Sequence, residues 1–159
     1  MIRGLSADDW AWVGALNGAN ETETSPLTET RFVHMLRQSL VSLAFAERSA
    51  FLIVFDQNSA YDSENFLWFK QRYPSFAYVD RIVVAQAARG RGIGRQLYEH
   101  LFREAYEAQF DKVVCEVNFK PANSSSDAFH QRLGFREVGR AQLANGKGVR
   151  YLCLGLKKA

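Results

Sequence analysis

The sequence has little of what several protein classes require. Its apolar runs, such as residues 51–55, are far shorter than the roughly 20 residues that cross a membrane as a helix. Two cysteines, Cys115 and Cys153, are too few for a disulfide framework, and both fall in apolar, strand-like runs. The first residues reach acidic side chains before any apolar leader forms. These features predict a cytoplasmic protein with two buried, reduced thiols.

Length and composition are those of one globular domain. The chain has 159 residues, and it contains no internal repeat, low-complexity stretch or linker. Apolar residues make up 47% and charged residues 23%, so a disordered chain is excluded as the main state. We therefore expect a single domain over residues 1–159, with one sizeable core.

Charge is distributed unevenly along the chain. Residues 1–80 contain 6 basic and 10 acidic side chains, whereas residues 81–159 contain 14 basic and 7 acidic ones. A basic half indicates an anionic ligand and an acidic half favours a cation, although solvated surface charge is the plain alternative. The basic residues form no stripe with interleaved aromatics, so we expect no nucleic-acid partner.

Hydrophobic periodicity predicts alternating strands and helices in an α/β fold. Two helices begin near Ser6 and Thr28, and the stretch 57–75 reads as a loop with a short helix. A strand, a helix and a strand between residues 76 and 117 require a parallel crossover, while the hairpins on either side are antiparallel. The sheet should therefore be mixed. The remaining predicted elements are strands 40–46, 51–55, 76–85, 112–117, 135–143 and 149–156, and helices 93–110 and 124–133.

A glycine-rich loop joins the predicted strand 76–85 to the helix that begins at Ile93. Glycines let the backbone approach a ligand closely, and the helix directs free amides and its positive dipole end toward the loop. Such a turn holds phosphate, and arginines around it add charged donors. An ordinary basic turn is the alternative. The loop and the helix start comprise Arg89, Gly90, Arg91, Gly92, Ile93, Gly94 and Arg95.

The spacing of these glycines narrows the choice of phosphate ligand. No Gly-Lys-Ser/Thr follows, which excludes a Walker loop. The dinucleotide pattern Gly-x-Gly-x-x-Gly fails by one position, because Gly90 and Gly92 are followed by Gly94. A nicotinamide-dinucleotide enzyme is therefore a weak alternative.

The spacing Arg89-x-x-Gly92-x-Gly94 resembles the acetyl-coenzyme A loop of the GNAT N-acetyltransferase superfamily. Residues 123–135 are similar to a second motif of that family, Asn-x-x-Ala-x-x-(apolar)-Tyr-x-x-x-Gly-Phe, with Ser126 at the alanine position and His130 at the tyrosine position. The resemblance covers residues 76–140 closely. It implies a mixed, mainly antiparallel sheet with helices on both faces, and transfer of acetyl from acetyl-coenzyme A to a primary amine, without a metal.

The resemblance also implies where the cofactor is held. The backbone amides of Ile82, Val83 and Val84 would hold the pantetheine arm and polarise the thioester carbonyl. Asn118 and Asn123 would bind the cofactor's amides or the substrate, unless they serve at a strand end and as a helix cap. The remaining cofactor contacts would be the glycine loop with Ser126 and His130.

The family tyrosine that protonates the leaving thiolate is replaced by His130. Histidine can donate a proton if its surroundings favour the charged form, and the alternative is that it only positions the cofactor. Ser124, Asp127 and His130 do not form a catalytic triad, because their spacing sets them along one helix.

Two acids interrupt apolar strands and are candidates for the base that deprotonates the amine. Asp80 is preferred and Glu116 is the second choice, because carboxylates rarely enter central strands unless they are paired or functional. The alternative is a structural ion pair with a neighbour such as Arg81. Cys115 as an acyl carrier is a minor alternative, since an apolar strand raises the pKa of a thiol.

The acceptor is the least determined part of the prediction. Aromatic residues in segment 57–75 could wall an amine pocket or pack as core. We name Trp68, Phe69 and Tyr78 as candidate substrate contacts. A small-molecule or peptide amine is the expected substrate, with no membrane partner, and a homodimer is left open. A coenzyme A-binding sensor without catalysis is the alternative function.

Overall fold

A mixed seven-stranded sheet organises the part of the chain that the computed structural model describes, residues 1–21 and 24–156. Its spatial order is β1-β2-β3-β4-β5-β7-β6, and β4 and β5 are parallel while the other neighbours are antiparallel. The predicted mixed, mainly antiparallel sheet is confirmed. The strands are β1 Ile2–Gly4, β2 Val41–Phe45, β3 Ala50–Asp56, β4 Ala77–Val84, β5 Lys112–Lys120, β6 Arg136–Gln142 and β7 Gly148–Gly155.

Helices cover both faces of this sheet. One face carries α1, α2 and α3 over a core that includes Phe32, Phe66 and Tyr151. The other carries α4 and α5 over a core that includes Leu97 and Leu101. The helices are α1 Trp10–Gly18, α2 Glu29–Gln38, α3 Glu64–Lys70, α4 Ile93–Glu107 and α5 Ser124–Leu133. None of the described helices combines the length and apolar character that crossing a membrane would need.

Polar caps fix where two of the predicted helices begin. The side chain of Thr28 accepts a hydrogen bond from the amide of Arg31, and that of Asn123 accepts one from Ser126. A cap satisfies an amide that has no partner inside the helix. Asn123 therefore has the helix-cap duty that was the alternative to cofactor contact, although it also lines the cleft described below.

The strand β1 was not predicted from the sequence, whereas the short helix predicted within segment 57–75 is present. The strand β1 has three residues, which is too short to show an alternating pattern, and it is added at the sheet edge by pairing Ile2 with Phe45. Segment 57–75 contains α3, whose side chains Phe66 and Phe69 are completely buried against the α1 and α2 face. Helix α3 therefore belongs to the core and forms one wall beside the sheet.

The two parallel strands separate soon after they meet. The strands β4 and β5 pair at Ala77 with Val113 and at Tyr78 with Val114, and no further pair follows in the described residues. Beyond this point their facing backbone groups have no strand partner, and an opening forms between them. Asp80 and Glu116 each lie two residues beyond the last pair, so they stand on opposite sides of the opening.

Candidate active site

A cleft of about 510 Å³ runs from the glycine loop into the opening between β4 and β5. It brings together every residue that the sequence assigned to the cofactor except Arg91, and it includes Asp80, Glu116 and His130. Arg91 is exposed and lies outside the lining. The cofactor residues along the cleft are Ile82, Val83, Val84, Arg89, Gly90, Gly92, Ile93, Gly94, Arg95, Asn118, Asn123, Ser126 and His130.

The glycine loop ends in a left-handed turn that directs α4 toward the cleft. Gly90 and Gly92 have φ angles of 83° and 76°, which only glycine adopts without strain. Gly92 is the N-terminal cap of α4, and the first hydrogen bond to it comes from the amide of Gln96. The amides of the first helical turn are thus left without helical acceptors, and they can bind a phosphate group.

Gly94 serves a packing role that differs from the role of Gly92. A Cβ atom at Gly94 would lie 3.1 Å from Cζ of Phe129 on α5, closer than ordinary packing allows. The start of α4 therefore approaches α5 closely.

The three arginines of the loop differ in what they contact. Arg89 donates to Oδ1 of Asn20 at 2.8 Å and to the carbonyl of Val84 at 3.3 Å, so it links the loop to the connection between α1 and α2. Arg95 lies 3.9 Å from Glu99 on the exposed side of α4. The loop carries excess positive charge at the mouth of the cleft, which favours an anionic ligand.

Asp80 is engaged on both carboxylate oxygens. A register shift in the pairing of β3 with β4 leaves Asp80 without a partner between Val79 and Arg81. Its Oδ2 accepts from Nε of Arg81 at 2.7 Å, and its Oδ1 accepts from the hydroxyl of Tyr61 at 2.5 Å. This is the structural ion pair that the sequence left as the alternative for Asp80, and it leaves the carboxylate poorly placed to take a proton from an amine.

Arg81 extends the ion pair to the connection between α1 and α2. Its guanidinium donates to Oδ1 of Asn17 at 2.9 Å, to the carbonyl of Ser25 at 3.1 Å and to Oγ of Ser25 at 2.8 Å. The arginine is almost completely buried. One side chain thus attaches the connection to β4 beside the opening.

Glu116 differs from Asp80 because it has no ion-pair partner among the described residues. Its Oε1 accepts from the hydroxyl of Tyr78 at 2.6 Å. Burial raises the pKa of Glu116 to about 8, with a further rise from Asp80, and the Tyr78 hydrogen bond lowers it in part. A carboxyl group with a pKa near neutral, at the floor of a cleft, has the property expected of a general base.

His130 is buried, and both of its ring nitrogens are occupied. Nδ1 lies 2.7 Å from the carbonyl oxygen of Ser126, so Nδ1 donates there. Nε2 lies 2.6 Å from the hydroxyl of Tyr98 and therefore accepts from it. Burial lowers the pKa of His130, which favours this neutral form. The geometry suits the positioning alternative better than proton donation.

A smaller cavity of about 130 Å³ adjoins the cleft and shares Thr24, Asp80, Arg81, Glu116 and Asn118 with it. Of the three predicted substrate contacts, Tyr78 lines this cavity. Trp68 and Phe69 line neither of the two cavities. Phe69 is completely buried, and Trp68 stacks on Tyr151 at 4.1 Å between ring centroids, so both pack as core.

Sequence reasoning did not assign several residues that the fold places at these cavities. Tyr98 lies on α4 and contacts His130, Tyr61 comes from the loop before α3, and Asn65 comes from its first turn. Only Tyr61 had a signal, as an aromatic residue in a polar stretch. No sequence signal pointed to Asn17 or Ser25, because their partner Arg81 is 64 and 56 residues away in sequence.

The structure gives little support to Cys115 as an acyl carrier. Burial raises the pKa of the Cys115 thiol well above its ordinary value, so a reactive thiolate is disfavoured. In the described part of the chain, no group of three or more His, Cys, Asp or Glu side chains could hold a metal ion.

Comparison with known proteins identifies the class. The sequence model of the acetyltransferase (GNAT) family matches residues 31–135, about two thirds of the chain. The chain belongs to the GNAT acetyltransferase family. The resemblance inferred from the glycine loop and from residues 123–135 is therefore confirmed.

Solved structures of the same fold cover the whole chain at low identity. Ard1 from Thermoplasma volcanium is similar with a TM-score of 0.81 and 14% identity, over 99% of this chain and 98% of that one. The ribosomal-protein-S18-alanine N-acetyltransferase from Escherichia coli has a TM-score of 0.70 and 20% identity, over 100% and 95%. The structure of yncA from Salmonella typhimurium with its cofactor acetyl-coenzyme A has a TM-score of 0.72 and 16% identity, over 100% and 95%. At such identities the likeness shows the fold alone.

Proposed function

We propose that this protein is an N-acetyltransferase that moves acetyl from acetyl-coenzyme A to a primary amine by direct attack. The observation that carries the proposal is the position of Glu116, which stands where the cleft beside the glycine loop meets the smaller cavity. A donor and an acceptor that enter from the two sides would meet at this carboxyl group.

The larger cleft fits the donor. The first turn of α4 would bind the pyrophosphate, helped by Arg89 and Arg95 at the cleft. Backbone amides of β4 that have lost their β5 partner would hold the pantetheine arm and polarise the thioester carbonyl. Of the related structures described above, yncA from Salmonella typhimurium was solved with acetyl-coenzyme A, which supports this choice of donor.

Acetyl transfer at the place where the cleft meets the smaller cavity needs one base. An alkylammonium group has a pKa near 10, so a proton must leave before the nitrogen attacks. Deprotonated Glu116 takes that proton, the neutral nitrogen forms the C–N bond, and the C–S bond then breaks to release the thiolate, while the acylated nitrogen loses its second proton to water. The thiolate has an ordinary pKa near 8.5 and recovers a proton from protonated Glu116 or from water. Atoms and charge balance, and no covalent enzyme intermediate is involved.

His130 and Asp80 support this reaction without proton transfer. His130 connects α5 to α4 through Tyr98, which holds the cleft wall in place. Asp80 keeps Arg81 neutralised and oriented beside the opening. Location in the cytoplasm and a homodimeric state stay predictions.

Calorimetric titration with acetyl-coenzyme A, with NADH as the control ligand, tests the donor side. We expect binding in the micromolar range, no NADH binding, and at least tenfold weaker acetyl-coenzyme A binding in Gly92→Asp. That variant adds strain and negative charge where phosphate would bind. Gly146→Asp is the matched control, because Gly146 has a φ of 87°, open space around it, and a position in the β6–β7 turn. Absence of binding by the folded protein would overturn the proposal.

Amine-dependent release of free thiol separates an enzyme from a coenzyme A sensor. Turnover that needs both acetyl-coenzyme A and an amine supports the enzyme. Tight acetyl-coenzyme A binding without turnover of any amine would support the sensor.

A further inference from the structure

The smaller cavity is built for a compact, polar ligand. Its volume of about 130 Å³ is on the order of four water molecules' share of liquid volume, which suits a ligand of a few non-hydrogen atoms. Of the described residues that line it, only Leu143 is aliphatic, and the others are polar, charged or tyrosine. An extended apolar amine would leave these polar groups without partners.

The lining of the cavity also contains hydrogen-bond donors. The hydroxyl of Tyr151 donates to Oδ1 of Asn65 at 2.9 Å, which turns the amide nitrogen of Asn65 away from Tyr151. Within the described residues this nitrogen has no acceptor, although Asn65 lines the cavity. The hydroxyl of Ser63 accepts from the amide of Phe66 at 3.1 Å and has a proton left to donate.

The lining of the cavity therefore combines two kinds of polar group. Glu116 and Asp80 contribute carboxyl groups, which attract an amine, and Asn65 and Ser63 contribute donors, which suit an oxygen acceptor. A ligand that satisfies both kinds of group carries an amino group and, a bond or two away, a carboxylate.

We infer that the acceptor is a small free amino acid, and that Asn65 sets this specificity by donating to its carboxylate. The inference rests on the proposed acetyl transfer and adds the substrate class. It identifies Asn65, which takes no part in the proton transfer, as a specificity-determining residue for the acceptor.

The borders of the cavity favour a free amino acid over the end of a peptide. Arg81 holds the α1–α2 connection at Ser25 on one side. On the other side, the amide of Ala144 in the β6–β7 hairpin donates to Oε1 of Glu64 at 3.4 Å, which joins the hairpin to α3. Together with the small volume of the cavity, about 130 Å³, these links favour a ligand without a continuing chain.

The test compares amino acids with the amines that lack their carboxylate, namely alanine with ethylamine and serine with ethanolamine. A short peptide with N-terminal alanine is the third arm. Thiol release gives kcat and KM, and calorimetry gives binding of each amine to the coenzyme A-loaded protein. We expect the amino acid to exceed its partner amine by about tenfold or more in kcat/KM or in affinity, and to exceed the peptide.

Asn65→Asp is the decisive variant, because it keeps the shape and the acceptor for Tyr151 but replaces two donors with an acceptor oxygen. We expect KM for the amino acid to rise at least tenfold while kcat changes less than threefold, and the preference over the partner amine to vanish. Leu67→Asp adds the same group at an exposed position of the same helix and should leave both constants unchanged.

The outcomes separate this inference from the proposed function. Equal use of amines with and without a carboxylate, a preference for the peptide, or an unchanged preference in Asn65→Asp would overturn the inference while acetyl transfer stands. Amino acid binding without turnover would support the inference and count against the enzyme. If amino acids are neither turned over nor bound, the inference is overturned.

Discussion

The hydroxyl of Tyr78 on β4 donates a 2.6 Å hydrogen bond to Glu116 on β5, just beyond the point where these parallel strands stop pairing. The bond spans the opening and holds the carboxyl group between the two cavities. The position of the proposed base thus depends on the same strand separation that opens the cleft.

Glu116→Gln should remove most of the activity. The amide keeps the size of the side chain and an acceptor for Tyr78, but it cannot take a proton from an amine. We expect kcat to fall by about 10²- to 10⁴-fold, the usual contribution of a general base. Acetyl-coenzyme A affinity should stay within about threefold, measured by calorimetry. Glu104→Gln on the exposed side of α4 is the control, and a loss under tenfold in Glu116→Gln would rule out this base.

The pH dependence of kcat should report the ionisation of Glu116. Its carboxyl must lose a proton to act as a base, so activity should increase with pH through the raised pKa of about 8. Tyr78→Phe removes a hydrogen bond that lowers this pKa, and the rising limb should therefore move to higher pH. A stopped-flow or steady-state profile of both proteins measures the shift. A limb that stays in place, or moves to lower pH, would contradict the assignment.

The sequence alone was enough to predict that Asp80 and Glu116 face each other. Parallel strands follow from the crossover through residues 93–110, and an acid in each strand follows from inspection. Which acid is engaged in an ion pair was not predictable. The answer depends on the register shift at Asp80 and on Asn17 and Ser25, which the chain brings to Arg81 from far away in sequence.

The aromatic segment shows a second limit of sequence reasoning. Phe66 and Phe69 are one helical turn apart and face the core, but the same spacing would also suit a ligand pocket. Two polar residues that precede them, Ser63 and Asn65, line the cavity instead. Only the packing of α3 against the sheet distinguishes these two possibilities.

His130 should prove to be a positioning residue. His130→Gln keeps an acceptor that can reach the hydroxyl of Tyr98, so we expect kcat to fall less than tenfold and the midpoint of thermal unfolding to decrease by a few degrees. Tyr98→Phe leaves Nε2 of His130 without its donor and should destabilise the protein by about 1–3 kcal/mol. A loss of 100-fold or more in kcat for a folded His130→Gln, with the falling, alkaline limb of its pH profile removed, would make His130 the proton donor.

Arg81 should control acceptor binding through the α1–α2 connection. Arg81→Lys keeps the charge near Asp80, but one ammonium group cannot hold Asn17 and both Ser25 oxygens together. We expect KM for the amine to rise several-fold with a smaller change in kcat, because the carboxyl of Glu116 is untouched. Arg81→Met removes the charge and leaves Asp80 buried without its partner, so it should cost about 3–5 kcal/mol of unfolding free energy. Urea unfolding and amine kinetics on both variants measure these effects. If Arg81→Lys lowered kcat while KM stayed constant, the arginine would act on the chemical step and not on the connection.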